Sequence, residues 1–237
     1  MSGILYIVST PIGNLKDITY RAVEVLKSVD LIACEDTRKT GILTKEYNIS
    51  TPLISYHDHN KESRGKHIIN LLESGENIAL VSDAGTPAIN DPGFNLVRDA
   101  RNLNIKVTGV PGACAAINGI AISGLATDRF CYEGFLPVKK GRMTSLEKIK
   151  NEERTIIIYE GVHKIEKTLK DLKEYIGDRK IVILREMTKV YEEYIRGTAQ
   201  EILNHFKENP LKGEFVLIVE GFDKKKVKKT NKYSKKP

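Results

Sequence analysis

Two α/β units in one chain are what this 237-residue sequence predicts. Three observations carry that reading. Short β-prone runs alternate with helical patterns through the first half, as βαβ units of a mostly parallel sheet require. The alternation breaks at a small-residue stretch, VPGACAAINGIAISGLA (Val110–Ala126), which reads as a short helix near Gly112–Ser123. Beyond it, strands and helices resume in a second α/β or α+β unit. The predicted boundaries are 1–116 for an N-terminal domain, 117–221 for a C-terminal domain and 222–237 for a disordered Lys-rich tail.

The elements follow in order. Strand candidates are ILYIVS (Ile4–Ser9), DLIAC (Asp30–Cys34), PLISY (Pro52–Tyr56), NIALVS (Asn77–Ser82) and KVTGV (Lys106–Val110). Helical stretches between them are TYRAVEVLKSV, TRKTGILTKEY, ESRGKHIINLLES and NLVRDARNLN, with apolar residues at three- and four-residue spacing, such as Ile68, Ile69, Leu71 and Leu72. In the second half FCYEGFLPVKKGR (Phe130–Arg142) reads as a strand and then a basic loop. RTIIIYE, KIVILRE and GEFVLIVEG read as further strands, with helices around Lys164–Tyr175 and Ala199–Lys207.

Composition narrows the function classes. Apolar residues make up 41% and charged residues 29%, an ordinary soluble balance. No apolar run reaches the eighteen or so residues of a membrane span, and the N-terminus runs straight into a strand pattern without the basic lead of a signal peptide. Three widely spaced cysteines among small or apolar neighbours point to reduced thiols in a cytoplasmic protein. The net charge of +7 is all in the tail: residues 222–237 hold eight Lys and one Asp, and the rest of the chain is neutral. Such a segment has too little apolar content to offset its ordering entropy. It reads either as a solvated tail or as an electrostatic arm for a polyanion such as RNA.

Ligands of open α/β sheets sit beyond the carboxyl ends of strands. Four of those ends here are unusual: STPIGNLKDIT, CEDTRKT, SDAGTPAINDPG and GVPGACAA. Each is rich in Gly, Pro or small polar residues that let a ligand approach the backbone. One alone reads as a tight turn, whereas four on one sheet edge point to a ligand. Neither GxxxxGK[ST] nor a GxGxxG after the first strand is present, which argues against a P-loop enzyme or a dinucleotide fold. Asp83, at a strand tip, suits a hydroxyl or amine, and Pro111 with Gly112 reads as the opening of a helix whose free N–H groups favour a carboxylate. A small zwitterion carrying a sugar fits such tips.

The segments VSTPIGNLKDITYRAVEVL, ACEDTRKTGIL, HDHN, LVSDAGTPAINDPGFNLV, GVPGACAA, YEGFLP and REMTK occur in an order and spacing that resembles one family over about residues 4–221. It is the family of ribosomal RNA small subunit methyltransferase I, in the tetrapyrrole-methylase-like, class III group of S-adenosylmethionine enzymes. The resemblance implies two α/β domains of the tetrapyrrole methylase type with S-adenosylmethionine in the interdomain cleft, a homodimer, and methylation of a cytidine ribose 2′-hydroxyl in 16S ribosomal RNA or the assembled small subunit. It also implies a cofactor site at Ile12, Gly13, Asp83, Gly85, Thr86, Cys114 and Ala115, with Tyr159 closing the cleft from the second domain.

Methyl transfer from a sulfonium is an in-line displacement, so orientation and removal of the hydroxyl proton are the enzyme's tasks. Four residues at strand ends are catalytic candidates: Asp36 and Arg38 in EDTR, Glu186 and Lys189 in REMTK. A deprotonated Lys189, its pKa lowered by partial burial, is the expected base. Arg38 is expected to grip an RNA phosphate, and Asp36 or Glu186 to orient the ribose or a neighbouring base. A structural ion pair or helix cap is the alternative for each. The HDHN run lacks a third and fourth ligand at metal-site spacing, so surface hydrogen bonding or RNA contact is expected there and no metal. PVKKGR (Pro137–Arg142) reads as an RNA-backbone contact or a solvated loop.

Two departures from the family pattern stand out. YEGVHK (Tyr159–Lys164) replaces the family's usual YES followed by Pro or Thr and then HR. Longer relatives continue into a small helical segment after the last strand, where this chain has its lysines. Two rival readings remain: a tetrapyrrole or modified protein side chain as methyl acceptor, and a non-catalytic RNA-binding ribosome assembly factor on the same fold.

Overall fold

The computed structural model describes residues 2–91, 93–209 and 212–223; most of the Lys-rich tail predicted at 222–237 lies outside them. The chain divides after Cys114 into two units. The first holds five strands, β1 (Ile4–Val8), β2 (Leu31–Cys34), β3 (Leu53–Ser55), β4 (Ile78–Leu80) and β5 (Lys106–Val110). Between them run the helices α1 (Tyr20–Ser28), α2 (Thr37–Glu46), α3 (Lys61–Glu73) and α4 (Gly93–Asn102), with a short 3-10 turn at Leu15–Asp17. All strand pairs of this sheet are parallel, in the order β3-β2-β4-β1-β5.

Side-chain alternation along these strands sorts the core into two faces. Leu5, Ala33, Ile78 and Leu80 pack with Ile68, Ile69 and Leu72 of α3 and Leu96 and Ala100 of α4. Val8, Ile32, Cys34 and Ala79 pack with Ala22 and Leu26 of α1 and Leu43 of α2. Helices therefore cover both faces, and the strand order has a functional consequence. The chain leaves β1 and β2 toward one face and leaves β4, which lies between them, toward the other. The tip of β4 is thus the topological switch point, where crevices open in sheets of this kind.

The second unit carries β6 (Phe130–Phe135), β7 (Thr155–Gly161), β8 (Ile181–Arg185), β9 (Glu193–Gly197) and β10 (Glu214–Val219) in the order β6-β7-β10-β8-β9. Only β6 and β7 run parallel; the other pairs are antiparallel. Its helices are α5 (Ala115–Ile122), α6 (Arg142–Asn151), α7 (Ile165–Ile176) and α8 (Ala199–Glu208). One face, with Ile156, Ile158, Ile181, Ile183, Phe215 and Leu217, packs under α6, α7 and α8. On the other face α5 settles at Gly119, where an added Cβ would meet Leu184 Cδ1 and Val216 Cγ1 at 3.2 Å. A helix can approach a sheet so closely only over a small residue.

Two elements differ from the sequence reading. Helix α6 begins at what reads as the end of a basic loop, and β9 forms from a stretch whose pattern does not mark a strand. Arg142 is the first residue of α6 and is buried: Nε donates to Asp171 Oδ2 (2.7 Å), Nη1 to the Pro137 carbonyl (3.0 Å) and Nη2 to Thr168 Oγ1 (3.0 Å). Of the PVKKGR segment, Arg142 therefore has no free edge for RNA, while Lys139 and Lys140 are exposed. No helix among the described residues is long and apolar enough to cross a membrane.

Candidate active site

The tips of β1, β4 and β5 are fastened to one another by short neutral bonds. Thr10 and Gly85 exchange backbone bonds, Thr10 N to Gly85 O at 2.9 Å and Gly85 N to Thr10 O at 3.1 Å. Thr10 Oγ1 donates to the Ser82 carbonyl (3.1 Å), and Ser82 Oγ to that of Gly85 (3.2 Å). Ser9 Oγ and Thr86 Oγ1 lie 2.9 Å apart, and Thr86 Oγ1 also donates to the Ala113 carbonyl at 3.3 Å. The irregular turn after β4 is therefore a clasp between two neighbouring loops.

Gly85 sits at its centre with φ +85°. This left-handed backbone favours glycine, and the missing Cβ leaves room that Ile12 Cγ2 (3.4 Å) and the Ala113 carbonyl (3.7 Å) would otherwise border. Gly112 lies so close to β1 that an added Cβ would stand 2.9 Å from Ser9 Cβ. Of the sequence-predicted cofactor residues, Ile12, Gly85 and Thr86 are thus brought together in the first unit. Gly13 is exposed beside Asn14, whose side chain caps the 3-10 turn, and Cys114 is half-buried.

Asp83 extends from the same turn toward β2. Its Oδ1 accepts from the Asp36 N–H (3.0 Å) and its Oδ2 from Lys39 Nζ (2.7 Å). Each oxygen retains a second lone pair for a ligand hydroxyl. Asp91, further along, accepts from Ala88 N (2.8 Å) and Gly93 N (2.7 Å) through Oδ1, which holds Ala88 and Asn90 in left-handed conformations nearby. Burial lifts the Asp91 carboxyl above its ordinary value, against the pull of those two N–H groups and with a further push from Asp58.

The catalytic candidates of the EDTR segment take structural positions. Asp36 caps α2, accepting from Arg38 N (2.9 Å), Nε (3.0 Å) and Nη2 (2.7 Å). The Arg38 side-chain and backbone bonds hold its carboxyl well below the usual range. Arg38 is engaged along one edge only and is 89% exposed.

In the second unit the helix read as opening at Pro111 begins instead at Ala115, while Gly112 lies close against Ser9 at the end of β1. Its Ala116 N–H is already taken by the Tyr159 hydroxyl at 2.9 Å, so Tyr159 caps the helix carrying Ala115. Tyr159 also stands edge-on to Tyr132 and Phe135, ring centroids 5.2 and 5.8 Å away. Glu186 and Lys189 do meet, in the hairpin joining β8 to β9. Lys189 Nζ donates to Glu186 Oε1 (2.9 Å) and Glu214 Oε2 (3.0 Å), while Glu186 Oε1 also accepts from Glu214 N at 3.0 Å. The expected lowering of the Lys189 pKa is not what these surroundings favour: burial alone would lower it, but the two carboxylates outweigh burial and raise it.

The HDHN run is a turn that leads into α3. Asn60 Oδ1 accepts from His57 N (2.8 Å), its Nδ2 donates to the Ser55 carbonyl (3.2 Å), and Lys61 pairs with Asp58 (3.0 Å). No group of three or more His, Cys, Asp or Glu among the described residues is arranged to hold a metal ion.

A doubly wound parallel sheet with a clasped switch point, followed by a mixed sheet, is an architecture with relatives. Residues 4–203 match the model of the tetrapyrrole (corrin/porphyrin) methylases, and the chain belongs to that family. Within it the chain is similar to ribosomal RNA small subunit methyltransferase I of Haemophilus influenzae, 52% identical over 225 residues that cover 93% of this chain and 80% of that protein. The protein of the same name from Bacillus subtilis is 50% identical over 226 residues, covering 95% and 77%. Among solved structures, uroporphyrin-III C-methyltransferase from Thermus thermophilus in complex with S-adenosylhomocysteine superposes with a TM-score of 0.65 over 92% of this chain and 97% of that one. At 15% identity that likeness speaks for the fold.

Proposed function

We propose that this chain transfers the methyl group of S-adenosylmethionine to the 2′-hydroxyl of a cytidine ribose in small-subunit ribosomal RNA. The observation that carries the reading is the convergence of Ile12, Gly85, Thr86 and the Ala113 carbonyl at the switch point. A Cβ on Gly85 would intrude on this cradle, and its backbone is fixed by bonds that leave little to reorganise on binding. The donor set fits an amino-acid sulfonium carrying a nucleoside: carbonyls and hydroxyls for polar edges, Ile12 for an apolar face, and Asp83 for a ribose hydroxyl or ammonium. S-adenosylmethionine, when bound, supplies a methyl group already activated by positively charged sulfur. The names of relatives at about half identity favour ribosomal RNA over a tetrapyrrole as acceptor.

The chain's own residues then have separable tasks. Gly85, Thr86 and Ile12 hold the donor, with Gly13, Cys114, Ala115 and Tyr159 as the remaining carried-over cofactor positions. Lys39 aims Asp83 through its 2.7 Å bond to Oδ2. Arg38, with its outward edge free of Asp36, takes an RNA phosphate, the kind of planar contact guanidinium makes well. Glu186 and Lys189 shape their hairpin for RNA and move no proton. In this reading the protein works as a homodimer in the cytoplasm, on free ribosomal RNA or the assembled subunit.

The test is incubation with small subunits lacking the modification and a methyl-labelled donor, followed by mapping of labelled riboses. A single labelled 2′-O-methylcytidine is expected, together with a rise in Tm on adding the donor. Donor binding with no transfer would favour the non-catalytic assembly factor instead.

A further inference from the structure

We infer that Glu35 is the general base that receives the ribose 2′-hydroxyl proton, an assignment that rests on the methyl-transfer reading above. Glu35 is the first residue past β2 and is exposed. Strands β2 and β4 are direct neighbours, with Val81 N bonded to the Ala33 carbonyl at 2.9 Å. The next residue's N–H holds Asp83 Oδ1, so Glu35 is tethered to the turn that carries Asp83 and Gly85. It therefore flanks the switch point on the β2 side, as Ser9, Thr10 and Ile12 flank it on the β1 side.

Availability separates Glu35 from the acids that flank the β4 turn, Asp36, Asp83 and Asp91. Asp36 is committed to Arg38 and the cap of α2, and Asp83 to Lys39 and the Asp36 N–H. Asp91 gives Oδ1 to two backbone N–H groups, and its Oδ2 is sealed from solvent. In the second unit Glu186 and Glu214 share Lys189. Among the described residues the Glu35 carboxylate takes part in no hydrogen bond or ion pair. His57 and His59 follow the edge strand β3, one strand further from the β4 turn.

The surroundings also make Glu35 a stronger base than a free carboxylate. Partial burial raises its pKa most, Asp83 and Asp91 raise it from the β4 loop, Asp58 raises it from the loop after β3, and Lys39 of α2 lowers it. Such tuning brings a carboxylate nearer the operating pH, where proton transfer is most effective. The step balances. The ribose O–H bond breaks with its proton passing to a Glu35 Oε, the O–CH3 bond forms from the freed oxygen pair, and the S–CH3 bond breaks with its pair retained on sulfur.

The experiment compares the full-length wild type with Glu35→Gln and Glu35→Asp in single-turnover methylation of unmodified small subunits across pH. Glu35→Gln is expected to slow transfer by about 10²–10⁴-fold and to lose the acid limb of the rate profile, with S-adenosylhomocysteine affinity within about twofold of wild type. Glu35→Asp is expected to restore part of the rate. A readout independent of turnover is the 13C-carboxyl titration of the free protein, which should show a glutamate above the ordinary range that vanishes in Glu35→Gln. A Gln variant that keeps the wild-type rate and acid limb overturns the assignment. So does a Gln variant that loses affinity for the product, which would make Glu35 a donor ligand. A wild type that binds the donor yet methylates no subunit overturns the function and this assignment with it.

Discussion

The two units hold their loops by different physics. Among the described residues, the buried polar side chains of the first unit are all hydroxyls: Ser9, Thr10, Thr40, Thr44 and Ser82. The second unit buries charge, with Arg142 at 5% and Glu160 at 1% exposure. In the first, hydroxyl and backbone bonds fasten the tips of β1, β4 and β5, with charge entering only where Asp83 ties the β4 turn to Asp36 and Lys39 beyond β2. In the second, an ionic chain runs from Asp171 through Arg142 and Thr168 to Glu160, and a three-membered charge cluster ties down the β8–β9 hairpin. Neutral clasps do not titrate and deform little, which suits a surface that must present a fixed cradle. Ionic ties are sensitive to truncation, because the partner left behind stays buried.

That contrast is tested most severely at Arg142. Its guanidinium meets Asp171, the Pro137 carbonyl and Thr168, and Thr168 Oγ1 in turn donates to Glu160 Oε2 at 2.6 Å. Arg142→Ala is expected to destabilise the protein by about 3–5 kcal/mol, since it strands buried carboxylate and hydroxyl groups. For a chain of this size the Tm should fall by about 6–20 °C. Calorimetric unfolding checks this, and a loss under about 1 kcal/mol would show that the second unit's buried charge is no more than a surface pair. Donor affinity at 25 °C should be unchanged if the clasp in the first unit is self-sufficient.

A smaller effect on stability and a larger one on binding are expected from Gly85→Val. Valine at φ +85° is held in a region that costs about 1–3 kcal/mol. Its Cβ would also enter the space bordered by Ile12 and the Ala113 carbonyl. The expected outcome is a loss of about 1–3 kcal/mol in denaturant unfolding and at least roughly tenfold weaker S-adenosylhomocysteine binding by calorimetry. Unimpaired binding would detach the cradle from the cofactor.

How far these features were legible in the sequence follows the same divide. The parallel-sheet strands stand out as apolar runs, and the strand-tip loops as clusters of Gly, Pro and small polar residues, because backbone requirements write directly into residue type. Helix α6 was hidden because RMTSLEKIKN has only a thin apolar stripe, and its first residue is secured by Asp171, which no local pattern foretells. Strand β9 is an edge strand in which only Ile195 is buried, so its charges read as loop. Ionic partnership was the least legible of all. Lys189 reads as a base in the sequence, and the second carboxylate that helps raise its pKa comes from Glu214, 25 residues away. The only sequence signal for Glu35 is its place as the first residue beyond a strand end, beside the more conspicuous Asp36.

The mildest test concerns that hairpin. Glu186 at φ +51° and Thr188 at φ +66° are left-handed without being glycine, and Gly213 at φ +91° faces them from the start of β10, where a Cβ would collide with the Glu186 carboxylate. Lys189 binds this arrangement together, with its side chain 31% exposed and that of Glu214 78% exposed. Partial exposure screens such pairs, so Lys189→Met is expected to cost only about 0.2–1 kcal/mol. The pH dependence gives the effect its signature. Burial lifts the Glu186 carboxyl, but Lys189 and the Glu214 N–H outweigh it and hold the group below its ordinary 4.5. Its contribution is fully present above pH 4.5 and fades as pH falls through the lowered value. Lys189 lies above its ordinary 10.5, so its contribution is intact below that pH and fades as pH rises through the raised value. The stability gap between wild type and Lys189→Met should be flat between about pH 5 and 10 and close on both sides. A gap that is absent at pH 7, or that widens in acid, would mean that the strained backbone holds the hairpin without the charges.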